Sequence, residues 1–182
     1  MTTAEILELT MAVGLVAVCG AGVWFDVREN RLPNRLTVPA LLGALLVRAA
    51  WGMDPLQSGL LAATAAFAVA LPFYLVGGLG AGDVKFLAAV GAFLGLPKLP
   101  TALLVMALVG GLMAIVAIVR HRVFRRTLNN LYAIMLTFGS KTFTGWKGRE
   151  SEALLTVNSP GALTVPYGVA IAAGALTGWF LT

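Results

Sequence analysis

Six nearly unbroken apolar stretches, at roughly 5–25, 37–53, 58–79, 84–97, 101–119 and 162–181, leave this chain few ways to fold. A helix of about 20 apolar residues crosses a hydrocarbon core of about 30 Å. It does so with every backbone hydrogen bond closed inside the segment, which lipid demands. The first, third, fifth and sixth stretches reach that length. The second contains Arg48, whose long stem can snorkel its charge to the nearer surface. The fourth is short: from Asp83 to Pro97 a helix rises only about 21 Å. Either it begins below the membrane surface or it runs on past Pro97. The first alternative, preferred here, recesses Asp83 toward the lipid. Only 12% of residues are charged and 59% are hydrophobic, against about 25% charged in an ordinary soluble domain. Residues 1–182 therefore read as a single all-α membrane bundle of six transmembrane helices. The N-terminus carries Glu5 and Glu8 but no basic segment, so the first stretch is expected to be kept as an anchor rather than removed as a signal peptide.

Charge orients the bundle. Arg28, Arg31 and Arg35 follow the first stretch, Lys85 follows the third, and Arg120, Arg122, Arg125, Arg126, Lys141, Lys147 and Arg149 follow the fifth. These are eleven of the thirteen Lys and Arg residues, all on alternate turns. Cytoplasmic loops hold the Lys/Arg excess. The pattern predicts an N-out, C-out protein in a plasma membrane, with a cytoplasmic basic loop at about 120–161. Within that loop, Leu128–Phe138 is apolar but too short to span and reads as an interfacial or re-entrant helix. The Gly/Ser/Thr-rich 139–160 reads as a mobile connection. The net charge of +5 does not point to nucleic acid, because the basic residues flank apolar stretches instead of lining a face interleaved with aromatics. Cys19, the one cysteine, lies in an apolar run and reads as a small core residue. No CxxC pair exists, and the single histidine, His121, sits in the basic cluster, so no metal site is expected.

Two acidic residues are not explained by topology. Asp26 ends the first apolar stretch and opens a polar loop. Asp83 closes Gly80-Ala81-Gly82-Asp83 ahead of the fourth. The charge pattern puts both on the cytoplasmic side. Two carboxyl groups held about 3 Å apart share a proton, because both cannot ionise. The charged member activates a water, and the protonated one polarises a scissile carbonyl. The glycines of 77–82 allow the third helix to unwind and another backbone to come close. Each aspartate also has a plainer reading: Asp83 as an N-cap, Asp26 as a helix-boundary residue.

The segments Asp26-Val27-Arg28-Glu29-Asn30-Arg31-Leu32-Pro33-Asn34 and Gly80-Ala81-Gly82-Asp83-Val84-Lys85-Phe86 resemble the two motifs of the type IV prepilin peptidase family of membrane aspartyl proteases. Leu32 stands where that pattern has Ile. Pro166-Tyr167-Gly168 looks like a third family element. The resemblance implies that Asp26 and Asp83 are a catalytic dyad and that no cofactor is needed beyond water. The implied partner is a pilin-like precursor with a short basic leader and an apolar helix that docks in the lipid bilayer. Long members carry a cysteine-paired cytoplasmic insert between the first two helices and also N-methylate the product. Here that connection is short and has no cysteine, so the chain resembles the short, Flp/Tad-type peptidases.

Around this pair, Gly80 and Gly82 are expected to shape the site, and Lys85 to bias the dyad, touch substrate or anchor the helix in the membrane. Asn34 is a turn residue or N-cap of the second helix, or takes part in chemistry. Glu29 is available to meet a basic leader. The Arg120–Arg126 cluster is a topology determinant. Signal-peptide-peptidase-like and presenilin-like enzymes share the Gly-x-Gly-Asp element, but the Leu32-Pro33-Asn34 turn favours the prepilin group. Two readings from other classes stay open. One is a small proton-linked transporter, which needs mid-depth polar residues that these apolar helices lack apart from Ser, Thr and Arg48. The other is a non-catalytic subunit of a pilus or secretion machine, in which both aspartates would tolerate Asn.

Overall fold

The computed structural model describes residues 2–75, 77–121 and 166–181. Among them the chain forms six helices and is all-α: α1 (Thr3–Glu29), α2 (Asn34–Trp51), α3 (Met53–Leu75), α4 (Ala81–Leu94), α5 (Leu99–His121) and α6 (Tyr167–Leu181). Three of these, over Ala4–Glu29, Met53–Leu75 and Leu99–Arg120, are long and apolar enough to cross a membrane. The sixth is apolar but shorter. The segments 128–138 and 139–160 lie outside the described residues, as does most of the basic loop.

Local chemistry sets the helix ends. Thr2 caps α1 by accepting the Glu5 N–H, and the Glu5 carboxylate accepts the Thr2 N–H in return at 2.9 Å, a reciprocal capping box. At the other end Asn30 takes a left-handed conformation (φ 48°) and donates its N–H to the Asp26 carbonyl, which closes the helix. Pro33, extended at φ −74° and ψ 145°, then starts α2. The helix therefore outlasts the apolar stretch by about a turn. Asp26 lies inside the last turn of α1 and does not open the loop. Similarly α3 stops at Leu75, ahead of the glycines. The turn is closed by Gly77 and Gly78 donating to Tyr74 and Phe73 carbonyls, with Gly77 at φ 74°.

Helix α4 is the hub. It packs against α1, α2, α3 and α6, and every residue from Phe86 to Leu94 is buried. Small residues let the backbones approach, as membrane interfaces favour. A Cβ on Gly91 would stand 2.8 Å from the Ala62 carbonyl oxygen of α3. One on Gly14 of α1 would stand 2.6 Å from the Phe93 ring, and one on Gly22 would collide with the Phe86 ring. The outer helix α5 packs mainly on α6, where Gly174 and Gly178 admit Ala102 and Met106. Its other flank exposes Leu104, Leu108, Leu112, Ile115, Val116 and Val119. Such an apolar surface has no place in water.

Arg48 corrects the snorkelling expectation. Its side chain is only 7% exposed and turns inward to the last turn of α4. Nε donates to the Ala92 carbonyl at 2.7 Å, and the terminal nitrogens donate to Phe93 at 2.9 Å and Pro55 at 3.2 Å. A cation on the carbonyl end of a helix offsets its dipole and satisfies its orphan acceptors. Leu94 is the last helical residue of α4, so the helix does not run past Pro97. At this same end Lys98 pairs with Glu8 and stacks on Trp179. The opposite end carries Arg28, stacked on Trp24 at 4.0 Å, together with Lys85 and both aspartates.

Candidate active site

Asp26 and Asp83 come from different helices to the same end of the bundle. Their alignment follows from one packing contact. The Phe86 ring fills the space left by Gly22. Gly22 lies four residues before Asp26 and Phe86 three residues after Asp83, so each is about one helical turn from its aspartate. The contact fixes α1 and α4 in register at the level of the two carboxyls.

Each carboxylate also accepts a hydrogen bond from a glycine N–H through Oδ2. Asp83 takes the Gly80 N–H at 3.0 Å. Asp83 is the third residue of α4 and Gly80 its N-cap. It is therefore not itself the N-cap, as its plainer reading had it. It makes the reverse half of a capping box, since glycine has no side chain to supply the other half. Asp26, 5% exposed, takes the Gly168 N–H from the first turn of α6 at 2.6 Å. Tyr167 stands beside that glycine, and a Cβ added at Gly110 of α5 would lie 3.7 Å from its ring. The site is thus built by three helices.

The other candidates fall into two groups. Gly82 belongs to the internal frame: a Cβ there would stand 2.7 Å from the Leu32 carbonyl oxygen. The backbone that needs this glycine is the chain's own α1–α2 connection. Gly80 is equally tight, with a Cβ position 2.9 Å from Asp83 Oδ2. Lys85, exposed, donates to Asn34 Oδ1 at 2.9 Å and joins α4 to α2. That corrects the capping role for Asn34. Pro33 holds the N-cap position without a side-chain bond, and the Asn34 amide is engaged by Lys85. Glu29 and Asn34 share a cleft of about 520 Å³ with Phe25, Pro33, Arg35 and Leu36. Among the described residues no group of three or more His, Cys, Asp or Glu is placed to hold a metal ion.

Gly168 is the residue whose part the sequence did not reveal. Pro166-Tyr167-Gly168 stood out as a motif, but nothing local to it indicates that its amide meets a carboxylate 142 residues earlier.

Fold and site together define a multi-pass, α-helical membrane protein with two aspartates at one end of its bundle. The sequence model of the type IV leader peptidase family matches residues 13–115, a segment that holds both aspartates. The chain belongs to that family. Among curated proteins it is 39% identical over 111 residues to a prepilin leader peptidase/N-methyltransferase of Aeromonas salmonicida (strain A449), covering 57% of this chain and 38% of that protein. It is 36% identical over 129 residues to the protein of that name from Escherichia coli (strain K12), covering 66% of this chain and 56% of the relative. The Neisseria gonorrhoeae protein is 36% identical over 100 residues, covering 51% and 35%. The chain thus spans less than two thirds of the length of these relatives. No solved structure gives a significant match.

Proposed function

We propose that this protein is a membrane aspartyl endopeptidase that removes the leader from pilin-like precursors, with Asp26 and Asp83 as its catalytic dyad. The observation that carries the reading is the pairing itself. Two aspartates stand at one end of a membrane bundle on helices that pack against each other, one turn from the Gly22–Phe86 contact, each with one oxygen tied to a backbone N–H. Brought to within about 3 Å of each other, such a pair shares a proton. Its charged member draws a proton from water as the water attacks the scissile carbonyl, and its protonated member stabilises the oxygen on which charge develops. The two titrations belong to the pair.

The precursor's apolar helix lies in the bilayer and its leader in the cytoplasm, so the membrane itself presents the scissile bond at the boundary where the dyad sits. In this reading all six helices cross or enter the membrane, N-out and C-out, as one peptidase domain of 1–182. The arginine-rich end faces the cytoplasm of a bacterial or archaeal cell. Glu29, in the cleft beside α2, offers a carboxylate to a basic leader. The α1–α2 connection of four residues, 30–33, is too short for an inserted domain. That favours the short, Flp/Tad-type form.

The test is cleavage of a co-expressed precursor in membranes. Asp26→Asn and Asp83→Asn should each abolish the size shift at normal protein levels. Processing by both variants at the wild-type rate would remove the protease reading and favour a non-catalytic assembly subunit.

A further inference from the structure

We infer that Gly168 is a positioning residue of the active site, its backbone N–H holding the Asp26 carboxylate in the orientation the dyad requires. The inference rests on the protease reading for its functional meaning, but the bond itself does not. A carboxylate turns easily about its last side-chain torsion, which has only broad preferences. A shared-proton pair needs one oxygen of each carboxyl turned toward the other. Asp83 is oriented within its own helix by Gly80, three residues away, and keeps that bond as long as α4 is formed. Asp26 has no equivalent within α1. Its anchor is delivered by α6, at 2.6 Å, from the first turn of a helix, where N–H groups have no i−4 carbonyl to meet. The pair is therefore asymmetric: one aspartate is held locally, the other only when α6 is seated.

The requirement for glycine is steric as well as polar. A Cβ at position 168 would lie 2.8 Å from Asp26 Oδ2 and 3.0 Å from its Cβ. Any side chain there pushes the carboxylate out of line while leaving the helix intact. The last element of the site thus lies beyond residues 13–115, the segment that defines the family match.

Two measurements on the full chain in detergent test this. In the first, Gly168→Ala should lower kcat for a pilin-like precursor on the order of 10²-fold, the scale of a small misplacement of a catalytic group. KM should change little, because this glycine's amide is already engaged by Asp26. Gly111→Ala, with nothing within 4 Å of its Cβ position, should keep wild-type kinetics. Wild-type kcat in Gly168→Ala would overturn the proposal. The second measurement needs no activity and no stable position-168 variant. With glycine labelled by 15N, the Gly168 amide proton should resonate downfield and move upfield in Asp26→Ala, while the Gly111 amide stays in place. A Gly168 amide indifferent to Asp26→Ala would overturn the anchor whatever the chemistry of the site. If the amide responds but the wild type cleaves nothing, the anchor stands and the protease reading is what fails.

Discussion

Gly82 shows how a single missing methyl group sets a site. The first turn of α4 lies against the Leu32 carbonyl so closely that an alanine Cβ would sit 2.7 Å from its oxygen. A backbone oxygen cannot rotate away as a side chain can, so the helix itself must shift. Gly82→Ala is expected to cost about 1–3 kcal/mol of stability through overpacking. It should also slow precursor cleavage, because Asp83 is the next residue. Gly20→Ala and Gly43→Ala, with open space around the added carbon, should be silent in both assays. Thermal unfolding in detergent and the rate of the size shift make the comparison. In the sequence these glycines showed only that another backbone could come close, not which one. The residue types were legible, but the identity of the approaching backbone depended on the α1–α2 connection folding over α4.

At the scale of elements, α4 is short because both its ends are occupied. Asp83 ties its first turn to Gly80, and Arg48 of α2 binds the carbonyls of its last. Between them lies a helix of 14 residues, about 20 Å of rise. Arg48→Met keeps an unbranched stem against Gly59 but removes the donors. Hydrogen bonds to charged groups contribute about 1.5–3 kcal/mol, so a stability loss of that size is expected in thermal unfolding. Because α4 is one continuous helix from Ala81 to Leu94, Arg48→Met should also reduce cleavage, although Arg48 sits at the end away from the dyad. Unchanged cleavage would mean that the aspartate end of α4 holds its place without the clamp. The helix itself was readable from its apolar run and its Pro97 boundary. The burial of Arg48 was not, because a lone arginine in an apolar stretch is equally compatible with snorkelling and with a backbone partner on another helix.

At the scale of the whole molecule, the proposed orientation has a direct check. With the buried Cys19 changed to Ser, Glu29→Cys at the aspartate end and Gln57→Cys at the other place single thiols on exposed positions. A membrane-impermeant thiol reagent applied to intact cells should label position 57 and spare position 29 until the membrane is opened. The reverse pattern would put the arginine-rich end outside and the dyad on the wrong side for a cytoplasmic leader.

Hydropathy and charge are properties of short segments. They settle before any helix meets another, which is why the all-α class, the apolar stretches, the clustering of cations on alternate turns and the placing of Asp26 and Asp83 at one end could all be read from the chain alone. Packing between apolar helices has no such local signature. Lipid is as apolar as the helices, so partners are chosen by the shapes that small residues create. Phe86 against Gly22, Lys85 on Asn34, Arg48 on the end of α4 and the Gly168 amide on Asp26 join residues far apart in sequence. Only the tertiary structure could decide them.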